Sequence, residues 1–117
     1  MGLALDKLVF DCADPVRVAT FWATALGYEL EADADETGAF IIDPSARMTG
    51  MFFQRVPEPK SAKNRLHFDL RPVGTLGDEV RRLMDLGASV AARFEDHVVM
   101  RDPEGNEFCV EPGMQTS

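Results

Sequence analysis

The side chains best suited to chemistry lie in two β-prone segments of the second half of the sequence. Glu107, Cys109 and Glu111 alternate along one segment, and His67 alternates with Asp69 in the other. Alternate residues of a strand share a face, so each segment would present its polar groups to one side. Imidazole, thiolate and carboxylate groups bind divalent metals or transfer protons. These segments therefore hold the groups for a metal site or for acid–base chemistry.

Each of these groups also has a structural interpretation. His67 could be a metal ligand, a proton-transfer group or a hydrogen-bonded strand histidine. Cys109 is favoured as a small buried residue over a nucleophile, because no base is identifiable beside it. Glu107 and Glu111 are expected to be solvated or ion-paired, with acid–base chemistry as the alternative.

Lys7 is a candidate of a different kind, because its ammonium could bind a substrate carboxylate. We favour an ion pair with Asp11 or Asp69, which needs no substrate. Phe52 and Phe53 are adjacent in a predicted strand and point to opposite faces, so one of them at most can line a ligand site.

Composition and charge restrict the class of protein. Hydrophobic residues make up 45% and charged residues 27% of the 117 residues, which is ordinary for one soluble domain. The net charge of −8 argues against nucleic-acid and anionic-membrane partners. The sequence has no apolar run of membrane-spanning length and no signal-peptide pattern at its start. Two free thiols, Cys12 and Cys109, then fit a reducing cytosol, so a cytoplasmic location is expected.

The periodicity of apolar residues predicts the order strand, helix, strand, strand, strand, twice over. Asp14 and Pro15 begin the first helix and Gly27 ends it, whereas Thr75 begins the second and Gly87 ends it. The predicted strands cover residues 5–12, 28–34, 39–42 and 50–56 in the first half and residues 65–71, 88–94, 97–101 and 107–111 in the second.

This repeated order indicates an internal duplication. Gly27 and Gly87 differ by 60 positions, and Pro57 and Pro112 differ by 55. The predicted fold is α+β, with two tandem βαβββ modules, residues 5–57 and 64–113, joined by a linker at 58–63. Each module alone is too small to bury both faces of its sheet, so the modules should pair into a curled sheet with a cleft.

Three runs of residues carry a family resemblance. They are Asp11-Cys12-Ala13-Asp14-Pro15 leading into Phe21-Trp22-Ala23-Thr24-Ala25-Leu26-Gly27, then Arg65-Leu66-His67-Phe68-Asp69-Leu70, and then Asp102-Pro103-Glu104-Gly105-Asn106-Glu107-Phe108. With them the chain resembles the vicinal oxygen chelate (glyoxalase/bleomycin resistance/dioxygenase) superfamily, in particular its short glyoxalase-like branch. The resemblance implies two βαβββ modules around a shared cleft and a homodimer as the usual assembly.

The resemblance also implies a divalent metal held by four residues, one from the first and one from the last strand of each module. The matching positions here are Lys7, Gln54, His67 and Cys109. His67 matches, Gln54 can ligate through its carbonyl oxygen, and Cys109 could bind zinc as a thiolate where glutamate is usual. A protonated Lys7 repels a cation. Glu107 or Glu111, on the strand face of Cys109, would replace it if the register slips by two residues.

We therefore expect a glyoxalase-like protein that binds a small organic molecule in its cleft without a complete metal site. Lys7 favours an anionic ligand. No other cofactor is expected, and no catalytic residue is identified. Two alternatives stay open: a metal-dependent lyase, isomerase or dioxygenase, and a non-catalytic dimeric interaction protein whose methionines fill the cavity.

Overall fold

The computed structural model describes residues 2–112 of the chain. It forms two compact units, which divide between Lys60 and Ser61. This division falls inside the predicted linker at 58–63. The predicted end of the second module, Gly113, lies outside the described residues.

The first unit is a mixed four-stranded sheet with one helix. Its elements are β1 (Lys7–Cys12), α1 (Pro15–Leu26), β2 (Glu29–Leu30), β3 (Gly38–Ile42) and β4 (Gly50–Arg55). The spatial order is β1-β4-β3-β2, in which β1 runs parallel to β4 and the other neighbours are antiparallel.

The core of this unit lies between α1 and one face of the sheet. Trp22, Ile41 and Phe53 are fully buried, and the ring of Phe53 stacks on that of Phe10 with centroids 5.0 Å apart. Helix α1 begins and ends where the sequence predicted. The Asp14 carboxylate accepts a hydrogen bond from the Arg17 amide at 3.2 Å and satisfies a donor of the first turn.

The second unit repeats the order of the first. Its elements are β5 (Asp69–Leu70), α2 (Leu76–Leu86), β6 (Ser89–Arg93), β7 (Val98–Arg101) and β8 (Glu107–Val110). The spatial order is β5-β8-β7-β6, with β5 parallel to β8. Val80 and Leu83 of α2 are buried, as are Met100 and Phe108 on the sheet. The fold is α+β, as the sequence predicted.

Two strands are much shorter than predicted. The strand expected at 28–34 is only Glu29–Leu30, because the chain turns at once, with the Ala34 amide donating to the Glu31 carbonyl. The strand expected at 65–71 is only Asp69–Leu70. It is an edge strand of its unit and bonds to β8 alone, so residues 65–67 lie outside the ladder. His67 is therefore a residue of an irregular segment.

The β7–β8 turn has the geometry that its sequence predicts. The Gly105 amide donates to the Asp102 carbonyl at 2.9 Å, as in a hydrogen-bonded β-turn. The Asp102 carboxylate accepts from the amides of Glu104 and Asn106, each at 2.9 Å, and from Asn106 Nδ2 at 3.0 Å. Among the described residues, neither α1 nor α2 is long and apolar enough to cross a membrane.

Candidate functional site

Each sheet has one face packed under its helix and one open face. In β4, Met51 and Phe53 are buried on the helix side, whereas Phe52 and Gln54 point the other way and stay partly exposed. The same alternation places the predicted site residues of the first unit on its open face. This surface, called here the first open face, consists of Lys7, Val9, Asp11, Phe40, Phe52 and Gln54.

The Lys7 ammonium is held by its sequence neighbour. Lys7 Nζ lies 2.7 Å from Asp6 Oδ2, and this hydrogen bond and the lysine charge lower the pKa of Asp6. The expected pairing with Asp11 or Asp69 is not the one observed. Asp11 lies four residues along β1, roughly 13 Å away, and is taken by another partner. An exposed pair between adjacent residues is weak and easily broken.

Gln54 is that partner. Gln54 and Asp11 lie opposite each other in the parallel β1–β4 pair, and Gln54 Nε2 donates to Asp11 Oδ1 at 2.7 Å. The amide is thereby oriented by a carboxylate. The sequence did not predict the Gln54–Asp11 contact, because it depends on the register of two strands whose paired residues are 43 positions apart.

Cys109 lies opposite Asp69 in the β5–β8 pair of the second unit. Partial burial raises the pKa of the Cys109 thiol, and the charge of Asp69, a hydrogen bond to that carboxylate and the charge of Glu111 raise it further. At neutral pH the group is therefore a protonated thiol that donates to Asp69. The raised pKa makes Cys109 a poor nucleophile at neutral pH, and a metal would have to displace its proton in order to bind.

His67 lies near the same carboxylate. Its Nδ1 lies 3.9 Å from Asp69 Oδ1, and the side chain is 43% exposed. Asp69 is therefore the group that links His67 with Cys109. The sequence placed it on the strand face of His67 and as a possible partner for Lys7, but not beside Cys109. The alternation of residues 67 and 69 was visible in the sequence; the Cys109 contact required the β5–β8 register.

Glu107 and Glu111 border this group. Glu107 Oε1 accepts a hydrogen bond from the Asn64 amide at 2.9 Å, which fixes the chain ahead of β5. The Glu111 carboxylate acts on Cys109 through its charge, and its own amide donates to the Leu70 carbonyl. Glu107 is thus held by a backbone amide, a contact that the sequence did not predict.

The candidate ligand positions are paired differently in the two units. Gln54 pairs with the β1 residue four positions after Lys7, whereas Cys109 pairs with the β5 residue two positions after His67. With the sequence offsets of 60 and 55, the Asp11–Gln54 pair of the first unit corresponds to Arg71 and Cys109 in the second. The observed partner of Cys109 is Asp69, two residues earlier.

The donors do not fit the divalent-metal site that the resemblance implies. Lys7 is a cation, and Cys109 stands where a carboxylate is usual, as a thiol whose raised pKa makes loss of its proton to a metal less favourable. Within residues 2–112, no group of three or more His, Cys, Asp or Glu side chains is arranged to hold a metal ion.

The first open face also carries an apolar row. Val9, Phe52 and Phe40 lie side by side on β1, β4 and β3, and Val9 is 50% exposed. At the β3 end of this row lies a shallow depression of about 460 Å³, lined by Glu31, Ala32, Asp33 and Phe40. Three strands span roughly 10 Å, so the row is wide enough for a two-ring molecule.

Solved structures identify the fold of the chain. A glyoxalase/bleomycin resistance protein/dioxygenase family enzyme from Burkholderia phytofirmans PsJN is similar, with a TM-score of 0.71 and 17% identity over 92% of this chain and 97% of that one. The fosfomycin resistance protein FosX from Mesorhizobium loti gives a TM-score of 0.71 and 14% identity over 97% and 94%. A FosX variant from Listeria monocytogenes, complexed with Mn(II) and dihydroxypropylphosphonic acid, gives 0.69 and 13% over 97% and 93%. The fold is that of the glyoxalase/bleomycin resistance/dioxygenase class.

The family follows from the sequence itself. The model of the glyoxalase-like domain matches residues 7–111, and the chain belongs to that family. The resemblance found in the three sequence runs is thereby confirmed. Comparison with curated proteins gives no match.

Proposed function

We propose that the protein binds a small organic molecule on the first open face, without a complete metal site. The observation that supports this most directly is the row of Val9, Phe52 and Phe40 on a sheet face that its helix leaves open. Ligand sites are mostly apolar surfaces with a few polar groups that fix orientation. Gln54 and Asp11, joined at 2.7 Å, supply such groups beside the row.

The charge of the ligand needs a revision. Lys7 was the reason to favour an anionic ligand, and its ammonium is already compensated by Asp6 at 2.7 Å. An anionic ligand would compete with that carboxylate for Lys7, although the exposed pair is weak. We therefore propose a small organic molecule without requiring that it be anionic.

Two alternatives remain. A metal-dependent lyase, isomerase or dioxygenase is favoured by His67 beside Asp69 and by the Mn(II) complex of the similar Listeria protein. An interaction protein filled by methionines has less support. Met51 and Met100 are buried in the helix-covered cores, and Met48 and Met84 are exposed.

The proposal also covers the oligomeric state and the cellular location of the protein. We expect a homodimer in the cytoplasm, with no nucleic-acid or membrane partner. The net charge of −8 supports the exclusion of nucleic acid, and sedimentation of the purified protein would test the dimer.

The test combines metal analysis with ligand screening. Protein purified without a His tag or chelator is analysed for metals, as is His67→Ala, and both are screened by thermal shift with small aromatic compounds before and after EDTA treatment. We expect no stoichiometric metal, and we expect hits that raise Tm equally in the presence of EDTA. Stoichiometric metal that disappears in His67→Ala, with hits that need it, would establish the metal-dependent alternative instead.

A matched pair of variants localises the binding. Val9→Gln puts a polar side chain in the apolar row and should reduce the thermal shifts of the hits. Val73→Gln makes the same change at a fully exposed position of the second unit and should leave them unchanged. Equal shifts in both variants would place the hits away from the first open face.

A further inference from the structure

Phe40 and Phe52 are arranged as a pair of rings on the surface of the first sheet. They lie opposite each other on β3 and β4, with ring centroids 6.2 Å apart and planes inclined by 47°. Both side chains are partly exposed. The separation is within the range of interacting aromatic pairs, and the partial exposure leaves part of each ring open to a ligand.

Two glycines let these rings lie close to the sheet. A Cβ atom on Gly38 would come within 2.4 Å of the Phe52 ring, and one on Gly50 would come within 2.6 Å of the Phe40 ring. Each ring thus covers the backbone of a glycine on the neighbouring strand. Any larger residue at these positions would push a ring outward and change the surface.

The depression beside Phe40 sets the charge that this surface prefers. Its remaining lining includes the carboxyl-bearing residues Glu31 and Asp33, and Glu31 follows β2 with its amide bonded to the Phe40 carbonyl. The charged side chains that line the depression are therefore both acidic. Lys7, the cation of the first open face, is paired with Asp6 and does not line the depression.

We infer that Phe40 and Phe52 form a stacking platform for a planar aromatic cation, with the cationic group directed to Glu31 and Asp33. The inference rests on the proposed function and assigns its ligand class. Stacking on Phe40 supplies the fit to a flat ring, a cationic ring gains from the negative face of the phenyl group, and the two carboxylates select positive charge.

A purely structural role for these rings makes a different prediction. Aromatic rings over cross-strand glycines stabilise sheets on their own. Replacement of Phe40 would then lower Tm without changing any ligand affinity. Affinity, charge preference and stability must therefore be measured together.

The experiment uses aminoacridine as the planar cationic probe and anthracene carboxylate as the planar anionic one, with the full chain and fluorescence titration at low salt. We expect aminoacridine to bind at least tenfold more tightly than the anion. Phe40→Leu should weaken aminoacridine binding by roughly three- to tenfold, as expected for the loss of one aromatic stack. Phe94→Leu, at an exposed ring of the second unit, should leave it unchanged.

A second pair of variants tests the charge and leaves the core untouched. Glu31→Gln with Asp33→Asn should weaken aminoacridine binding by about fivefold and flatten its salt dependence. Glu36→Gln with Glu58→Gln removes the same net charge at exposed positions outside the depression and should have a much smaller effect. These residues are exposed, so all four substitutions should fold normally.

Each outcome has a consequence. Equal affinity for both probes, absence of aminoacridine binding, or unchanged affinity in Phe40→Leu would overturn the platform inference. If other compounds still bind in a way that Val9→Gln weakens, the proposed function survives that result. If no compound binds the native protein, both fail.

Discussion

Asp69 connects two candidate residues of the second unit, because it interacts with both His67 and Cys109. The folded protein holds the Cys109 proton more tightly than the unfolded chain does. The thiol therefore contributes stability below the ordinary thiol pKa, and this contribution is lost as the pH rises through the raised pKa. A site built this way suppresses thiolate chemistry at neutral pH.

We predict that alkylation of Cys109 by iodoacetamide has its pH midpoint above the ordinary thiol value. Burial is the largest cause of the raised pKa, with Asp69 next, so Asp69→Asn should lower the midpoint part of the way. Peptide mapping by mass spectrometry separates Cys109 from the buried Cys12. A midpoint below the ordinary value would show an activated thiol and restore the metal or nucleophile interpretations.

Asp102 gives a second prediction at this scale. Its side chain is 4% exposed and accepts three hydrogen bonds from Glu104 and Asn106. Asp102→Ala leaves two backbone amides without their acceptor and should lower the free energy of unfolding by about 2–3 kcal/mol, measured by urea denaturation.

Asp43 is the matched control for Asp102. It holds its own turn by accepting from the amides of Ser45 and Met48, but water reaches that turn. Asp43→Ala should therefore reduce stability less than Asp102→Ala does. A larger loss in Asp43→Ala would contradict the argument from burial.

The sequence predicted some of these residue roles and missed others for a physical reason. The bond from Asp102 to the amide two residues on is local and follows from turn chemistry. The contacts of Gln54 with Asp11 and of Cys109 with Asp69 join residues at least 40 positions apart. Such contacts are set by strand register, which no local pattern encodes.

At the scale of elements, the two helix ends differ in a way that can be measured. Gly27 ends α1 at φ 74°, with open space where a Cβ would lie, whereas Gly87 ends α2 at φ 122°, with Pro103 Cγ 3.4 Å from that position. Gly27→Ala should cost about 1 kcal/mol of unfolding free energy. Gly87→Ala should cost roughly 2 kcal/mol, because φ 122° is unfavourable for any side chain.

Chemical denaturation of the two alanine variants tests this order. The same substitution at two helix ends controls for changes in the unfolded chain, which are alike at both sites. Equal losses would mean that the α2 end relaxes around the new methyl group. A larger loss at Gly27 would contradict the backbone argument.

The order of elements was predictable, and the lengths of two strands were not. Helix caps and apolar periodicity fix where α1 and α2 begin and end. Strands β2 and β5 are edge strands of only two residues, and their β-prone sequences continue beyond them. Whether such a segment pairs depends on its neighbour, so the sequence overstated both strands and placed His67 in a strand that it does not join.

For the molecule as a whole, acidic charge is the dominant feature. The net charge of −8 is distributed over carboxylates, several of which are tied to local donors. Thr37 lowers the pKa of Asp35, Ser45 lowers that of Asp43, and Arg82 lowers that of Glu79, in each case chiefly by a side-chain hydrogen bond. The folded state therefore binds protons at these groups more weakly than the unfolded chain.

This difference predicts how stability depends on pH. Stability from these carboxylates is complete above their unfolded pKa, near 4, and is lost as the pH falls through their lower folded values, since the unfolded chain then takes up protons first. Thermal melts should give a nearly constant Tm from pH 7 to about 5, because partial neutralisation of the carboxylates relieves their mutual repulsion near the lower limit. Below about pH 4, Tm should fall steeply. Asp35→Asn with Asp43→Asn should lower Tm at neutral pH and reduce that fall, because the variant has fewer proton-linked bonds to lose. A Tm that keeps rising below pH 4 would mean that charge repulsion, and not these local bonds, governs the acid stability of the protein.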